Sequence, residues 1–288
     1  MAHYKMIWTE MSDIHLIEIN SIPLAYKTYS DLEYKDEKKE LLFKEIQILK
    51  GLEHPNIIDI VDKKVNIYEE EVEMLKHSNI VENMEPKLGF LMPRADMDLD
   101  AFIRAEQHLG FEHFILASIG KGLDYLHKKG IIHNDIKLQN IVMFGTIPKI
   151  IDFGSATIVD DIDYDELGPG TPGYIAPEIL LQPYDADDPI FDEKVDVWSF
   201  AVVVWQVMNN STDLIFEGDT RQNSILETIK YVEVDWINLP GYMYPSLWIQ
   251  QMIPRIERVD KLDPLSSYGL VFNPLERPSM ADYVQYIS

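Results

Sequence analysis

Apolar spacing changes character once along this chain, and that change limits the architecture more than any other feature. From Met6 to Tyr29 the apolar residues come in short runs, Ile14, Leu16, Ile17, Ile19 and then Ile22, Leu24, Tyr26, with Asn20-Ser21 between them; this reads as strands joined by a turn. A helix follows over Asp36–Leu52, where Leu41, Glu45 and Leu49 recur every four residues and Gly51 closes the pattern. Extended stretches are predicted at Ile57–Ile67 and Lys87–Met92, linked by a polar, acidic connection through Glu69–Glu85. After Asp98 the pattern is mostly helical: Leu99–Arg104, Phe114–Lys129, Val195–Met208, Ser224–Ile229 and Met280–Ile287. Strands first and helices afterwards predict an α+β fold in two lobes, with the boundary near Pro93–Met97.

Val195–Met208 is the longest apolar run, interrupted by Asp196, Ser199 and Gln206; its 14 residues fall short of the ~18 that suggest a membrane span. A helix apolar all round is expected to be a buried core helix. Lys and Arg number 25 against 49 Asp and Glu, a net charge of −24. That charge disfavours nucleic acid and anionic membranes as partners and favours basic protein segments. The absence of cysteine excludes disulfides, thiolate nucleophiles and cysteine-ligated metals. Residues Met1–Asp13 lack the apolar core of a signal peptide. A cytoplasmic protein is expected, with the nucleus as the other compartment.

Three segments carry chemistry. Ile131-Ile132-His133-Asn134-Asp135-Ile136-Lys137-Leu138-Gln139-Asn140 sets Asp135 and Asn140 five apart with Lys137 between them. Asp152-Phe153-Gly154 follows the apolar strand end Lys149-Ile150-Ile151, and Gly170-Thr171-Pro172-Gly173-Tyr174-Ile175-Ala176-Pro177-Glu178 comes later. In order and spacing these resemble the catalytic loop, magnesium-binding triad and substrate-docking loop of eukaryotic protein kinases, H-R-D-x-x-x-x-N, D-F-G and A-P-E. Further matches are Lys27 in Leu24-Ala25-Tyr26-Lys27, Glu45 18 residues on, His54-Pro55-Asn56-Ile57, Asp196-Val197-Trp198-Ser199-Phe200 and Asn273-Pro274-Leu275-Glu276-Arg277-Pro278-Ser279.

The resemblance implies one kinase domain over residues 1–288: a small β-rich N-lobe with one main helix (about 1–93), a hinge (about 93–97) and a larger, mostly helical C-lobe (about 98–288). It implies a serine/threonine protein kinase that uses ATP and Mg²⁺, since a lysine two residues past the loop aspartate is the serine/threonine form. Asp135 would accept the proton of the acceptor hydroxyl, Lys137 would meet the γ-phosphate, and Thr171 would tie the docking loop to both. Lys27 would hold the α- and β-phosphates, with Glu45 fixing its ammonium. Asn140 and Asp152 would ligate Mg²⁺. Ala25 would roof the adenine slot and Val142 floor it, with Met92 as gatekeeper and Ala95 as the hinge backbone contact. Glu178 and Arg277 would form a buried structural ion pair. His133 and His54 are read as structural, Glu69–Glu73 as a solvated face, and Trp205, Trp236 and Trp248 as packing aromatics.

The sequence departs from the family in two places. No glycine precedes Gly51, so the glycine-rich phosphate loop is degenerate, and Glu10 and Asp13 stand near its place; glycines there let backbone amides approach phosphate. Asn134 replaces the usual arginine, and no Ser or Thr lies between Thr157 and Thr171 in a segment holding Asp160, Asp161, Asp163, Asp165 and Glu166. Activity independent of phosphorylation of that segment is expected. The alternative is a pseudokinase that scaffolds or regulates with little ATP turnover; phosphorylation of a small molecule is a third reading. Retention of Lys27, Glu45, Asp135, Asn140 and Asp152 favours catalysis.

Overall fold

The computed structural model describes residues 5–8, 13–19, 21–28, 35–61, 89–159, 162, 170–180, 191–214, 263–271 and 274–288. The readings of 62–67 as extended, of Glu69–Glu85 as an acidic connection and of Ser224–Ile229 as a helix lie outside these residues. So do Glu10, the five acidic residues after Gly154, and Trp236 and Trp248. The chain forms two compact units, Met1–Asp96 with Lys149–Gly154, and Met97–Pro148 with Ser155–Ser288.

The first unit is built on an antiparallel sheet in the order β1 (Lys5–Trp8), β2 (Asp13–Ile19), β3 (Ile22–Thr28), β4 (Gly89–Pro93). A tight turn joins β2 to β3: Ile19 faces Ile22, and Ser21 adopts φ +64°. Leu24 through Thr28 are all buried, so β3 packs on both faces, as a central strand does. Its described helix, α1 (Lys35–Lys50), buries Leu42, Ile46 and Leu49 and leaves Leu41 half-exposed. Of the predicted Leu41, Glu45 and Leu49 the last two are buried, so the face is corrected at Leu41 alone. A strict spacing of four drifts around the helix, whereas Leu42, Glu45, Ile46 and Leu49 follow the 3.6-residue stripe.

Nor is Ile57–Val61 a strand. Its amides are satisfied piecemeal: Ile58 N–H donates to Ile150 O at 2.9 Å and Val61 N–H to Leu91 O at 2.9 Å, with one parallel bridge between Ile57 and Ile150. Ile57, Ile58 and Ile60 are buried while Asp59 and Val61 are exposed; apolar residues can be buried in a loop when neighbours accept its backbone hydrogen bonds.

The second unit is mostly helical. After β5 (Met97–Asp98) come α2 (Leu99–Arg104) and α3 (Glu112–Lys128). Asp98 caps α2, accepting from Ala101 N–H at 2.7 Å. β6 (Ile131–Ile132) leads to a 3₁₀ turn at Leu138–Asn140, then β7 (Ile141–Phe144), which pairs with β5. β8 (Ile147–Ile150) carries the chain into the first unit, and β9 (Thr157–Ile158) returns to pair with β6. The remaining described helices are α4 (Pro177–Leu180), α5 (Lys194–Met208), α6 (Pro264–Gly269) and α7 (Met280–Ile287). Every residue of α5 from Val195 to Val204 is buried, Asp196 and Ser199 included, as the predominantly apolar run predicts. No described helix is long and apolar enough to cross a membrane.

α3 packs on α5 and α7, and α5 on α6. At the end of α6 there is no room for a side chain: a methyl on Gly269 would meet the Tyr283 ring and lie 2.7 Å from Ala201 Cβ. Overpacking of a filled core typically costs about 1–3 kcal/mol. Gly269→Ala is expected to lower stability by that amount in chemical denaturation, and an unchanged midpoint would show that the helices can part.

Candidate functional site

In the first unit, β3 points Ala25 and Lys27 to one side of the sheet, because strand residues two apart share a face. Met92 stands opposite Ala25 in β4, and both are buried. Lys27 Nζ donates to Glu45 Oε1 at 2.8 Å, to Glu45 Oε2 at 2.9 Å and to Asp152 Oδ1 at 2.7 Å. Lys27 and Glu45 are 5% and 1% exposed, Asp152 41%. A buried ammonium survives only with such partners. Two carboxylates on one ammonium leave one negative charge in excess, and the exposed member is Asp152.

Asp152 is delivered by anchored backbone. Lys149 Nζ donates to Pro55 O at 2.8 Å, Ile150 N–H to Asn56 O at 2.9 Å, and Asn56 N–H to His54 Nδ1 at 3.2 Å. The segment His54-Pro55-Asn56-Ile57 thus holds the strand end before Asp152, a role its sequence did not disclose, and His54 is structural as expected. Burial pushes the Lys149 ammonium below its usual range. Asp152 itself adopts φ +65°, the left-handed region that Asp tolerates better than most residues. The following amide, Phe153 N–H, donates to Glu45 Oε1 at 3.0 Å. Glu45 therefore reads the position of both the lysine and the aspartate segment.

In the second unit, Asp135 is the focus of three side chains. Its Oδ1 accepts from Thr171 Oγ1 at 2.5 Å; its Oδ2 accepts from Lys137 Nζ and from Asn140 Nδ2, both at 2.8 Å. Lys137 Nζ also donates to Thr171 Oγ1 at 2.7 Å, and Asn140 Nδ2 to Asp135 O at 2.8 Å. The tie from Thr171 to Asp135 and Lys137 is as the sequence predicts. With its amide nitrogen spent on Asp135, Asn140 has its oxygen to offer as a ligand. Gly170 makes the approach of the Thr171 loop possible: its φ is +81°, and a Cβ there would lie 3.0 Å from Asn134 O.

Asp196, fully buried in α5, is legible in the sequence only as part of a matching string. It proves to be the anchor of the Asp135 loop: its Oδ2 accepts from His133 N–H and its Oδ1 from Asn134 N–H, each at 2.8 Å. His127 Nε2 meets Oδ2 at 2.9 Å. Burial alone would raise the Asp196 carboxyl, but the His127 hydrogen bond and the charges of His127 and His133 hold it below the usual range. It stays ionised and keeps both amides, with Asn134 at φ +62°. His133 Nδ1 accepts from Asp135 N–H at 3.3 Å, so this histidine holds the loop as expected. Ala95 lies half-exposed after β4, and Val142 half-exposed in β7 opposite Asp98; neither is drawn into the polar clusters.

Asp152 and Asn140 offer hard oxygens, and no group of three or more His, Asp or Glu among the described residues could hold a metal by itself. Few protein oxygens completed by phosphate and water is the coordination that suits Mg²⁺. Within the second unit, a carboxylate and an ammonium, Asp135 and Lys137, are held in hydrogen-bonding range of one hydroxyl, that of Thr171, a combination suited to phosphoryl transfer.

Comparison with known proteins agrees with this chemistry. Residues 17–286 match the family described as protein kinase domain. The chain is 30% identical over 192 residues to calcium-dependent protein kinase 3 of Plasmodium yoelii yoelii, covering 65% of this chain and 32% of that protein. It is 32% identical over 197 residues to serine/threonine-protein kinase CST20 of Candida albicans, covering 66% of this chain and 14% of that protein. To the probable serine/threonine-protein kinase fhkE of Dictyostelium discoideum it is 26% identical over 255 residues, 84% of this chain and 32% of that protein. The matched region spans less than a third of each of these relatives.

Proposed function

Because this chain belongs to the protein kinase family, we propose that it transfers the γ-phosphoryl group of ATP to serine or threonine hydroxyls of a protein substrate. The observation that carries this reading is the hydrogen-bonded triangle of Asp135, Lys137 and Thr171. Asp135 orients the acceptor hydroxyl and takes its proton; Lys137 offsets charge on the transferring phosphoryl group. Lys27, fixed by Glu45, holds the α- and β-phosphates. Asn140 and Asp152 would hold Mg²⁺, which would supply charge neutralisation on the phosphates. Ala25, Met92, Ala95 and Val142 line the adenine slot. In this reading residues 1–288 are one kinase domain, with lobes at about 1–93 and 98–288 and a hinge at about 93–97, and the lack of cysteine suits the cytoplasm or nucleus.

The test is incorporation of γ-labelled phosphate into a generic protein substrate with Mg²⁺ and with chelator, beside Lys27→Met. Label should appear on serine or threonine, require Mg²⁺, and fall on the order of 10²–10³-fold in the variant, the loss typical when one preorganised charge contact is removed. Equal incorporation by both proteins would remove the catalytic reading. A second reading, a pseudokinase, draws on the missing glycines ahead of Gly51; it predicts no label with wild type and no Mg²⁺-dependent ATP binding.

A further inference from the structure

The buried apolar run of α5 is broken by three polar residues, Asp196, Ser199 and Gln206. Asp196 holds the backbone ahead of Asp135; the other two have no part in the chemistry described above. Seven residues, about two turns of helix, separate Ser199 from Gln206, so they share one side of α5. Both reach Tyr174 in the Thr171 loop: Ser199 Oγ donates to Tyr174 O at 2.8 Å, and Tyr174 Oη donates to Gln206 Oε1 at 3.1 Å. Tyr174 N–H donates to Thr171 O at 3.0 Å, closing the turn that carries Thr171 to Asp135. Tyr174 is 5% exposed and Gln206 0%, so solvent does not stand in for these bonds. A hollow lined by Asn134, Asp135, Thr171, Tyr174, Val195 and Ser199 lies among the loop, α5 and the Asp135 segment. At this point the loop is therefore held by polar bonds and not by packing alone.

We propose that Gln206 is a positioning residue for phosphoryl transfer: through Tyr174 it sets where Thr171 stands against Asp135. This rests on the kinase reading above. Gln206 also holds the chain that follows α5, because its Nε2 donates to Thr212 O at 3.3 Å and to Asp213 O at 3.2 Å. One amide thus supplies an acceptor and two donors at once, which a carboxylate cannot do. The next residue, Leu214, meets the same loop: a methyl group on Gly173 would collide with it. The segment after α5 and the Thr171 loop are joined at Tyr174 by Gln206 and at Gly173 by Leu214. Without the amide, the buried Tyr174 hydroxyl loses this acceptor. Tyr174 then shifts to find another, and Thr171 shifts with it, away from its bonds to Asp135 and Lys137. Lys27 and Asp152 belong to the first unit, so the grip on the phosphates of ATP should be little changed.

The experiment combines hydrogen exchange with steady-state kinetics on wild type, Gln206→Leu, Tyr174→Phe and the double variant. Exchange of the Tyr174 amide reads the loop directly and should quicken about tenfold in each variant, the scale of one lost hydrogen bond. For a serine peptide, kcat/KM should fall about 10–10²-fold, the scale of a displacement of up to an ångström in a reacting geometry. KM for ATP should stay within about twofold of wild type, since the ground-state grip on nucleotide is untouched. The double variant should be no worse than either single one, because both act through one bond. Losses that multiply in the double variant overturn the proposal, as does a KM for ATP that moves with the loss or an undiminished kcat/KM in Tyr174→Phe. Tyr174→Phe removes one oxygen and decides the matter where Gln206→Leu does not fold. No incorporation by wild type would remove the kinase reading, and the role in transfer with it; incorporation by wild type with unchanged exchange in the variants overturns the positioning alone.

Discussion

Arg277→Met should destabilise the protein by about 3–5 kcal/mol, the cost of leaving a buried charge without its partner. Arg277 is 2% exposed and engages Glu178 through both arms of its fork, Nη1 to Oε1 at 2.7 Å and Nη2 to Oε2 at 2.9 Å. Its Nε donates to Val271 O at 2.9 Å, its Nη1 to Lys194 O at 2.6 Å, and its guanidinium lies 5.3 Å from the Trp198 ring. Methionine fills part of the volume but leaves the Glu178 carboxylate in an apolar surround, with two backbone carbonyls stripped of their donor. Chemical denaturation should show the loss, and the double variant Glu178→Leu/Arg277→Met should recover part of it, because both charges then leave together. A single variant within about 1 kcal/mol of wild type would mean that water reaches Glu178 and that the pair is not buried in solution.

Asp135→Asn should lower kcat by about 10²–10⁴-fold, the usual contribution of a general base, with ATP affinity nearly unchanged. The substitution keeps the shape and removes the chemistry. Asp135 accepts from Thr171, Lys137 and Asn140 at once, which only an ionised carboxylate can do with all three donors turned toward it. An amide must turn its own N–H₂ group toward the Lys137 ammonium or toward Thr171. Steady-state kinetics with nucleotide binding measured separately would decide the matter. Retention of more than about a tenth of wild-type kcat would show that Asp135 is not the proton acceptor.

Much of the site is visible without any coordinates. The interval from Asp135 to Asn140, and the position of Asp152 after an apolar strand end, are local facts, and the structure gathers each residue into a polar cluster within its own unit. The helix of the first unit is legible too, and Glu45 and Leu49 lie on its buried face as read, but a spacing of four picks Leu41 where Leu42 is buried. That spacing and the 3.6-residue period diverge over three turns, and only packing chooses between them. Ile57–Val61 shows the same limit from the other side. A run of apolar residues says that a segment is buried, not that its amides will find a ladder, and here they bond β8 and β4 one at a time.

Read alone, the chain tells where strands give way to helices and which lysine, aspartates and asparagine are candidates for the chemistry. Periodicity and short spacing are written within a few neighbouring residues, so no folding is needed to see them. Packing alone decided that Glu45 would also hold the amide of Phe153, 108 residues away, and that Asp196 would pin the backbone ahead of Asp135. Among 49 carboxylates, nothing local marks the few that meet a distant amide or guanidinium. Burial and approach select them, and those exist only once the elements have come together.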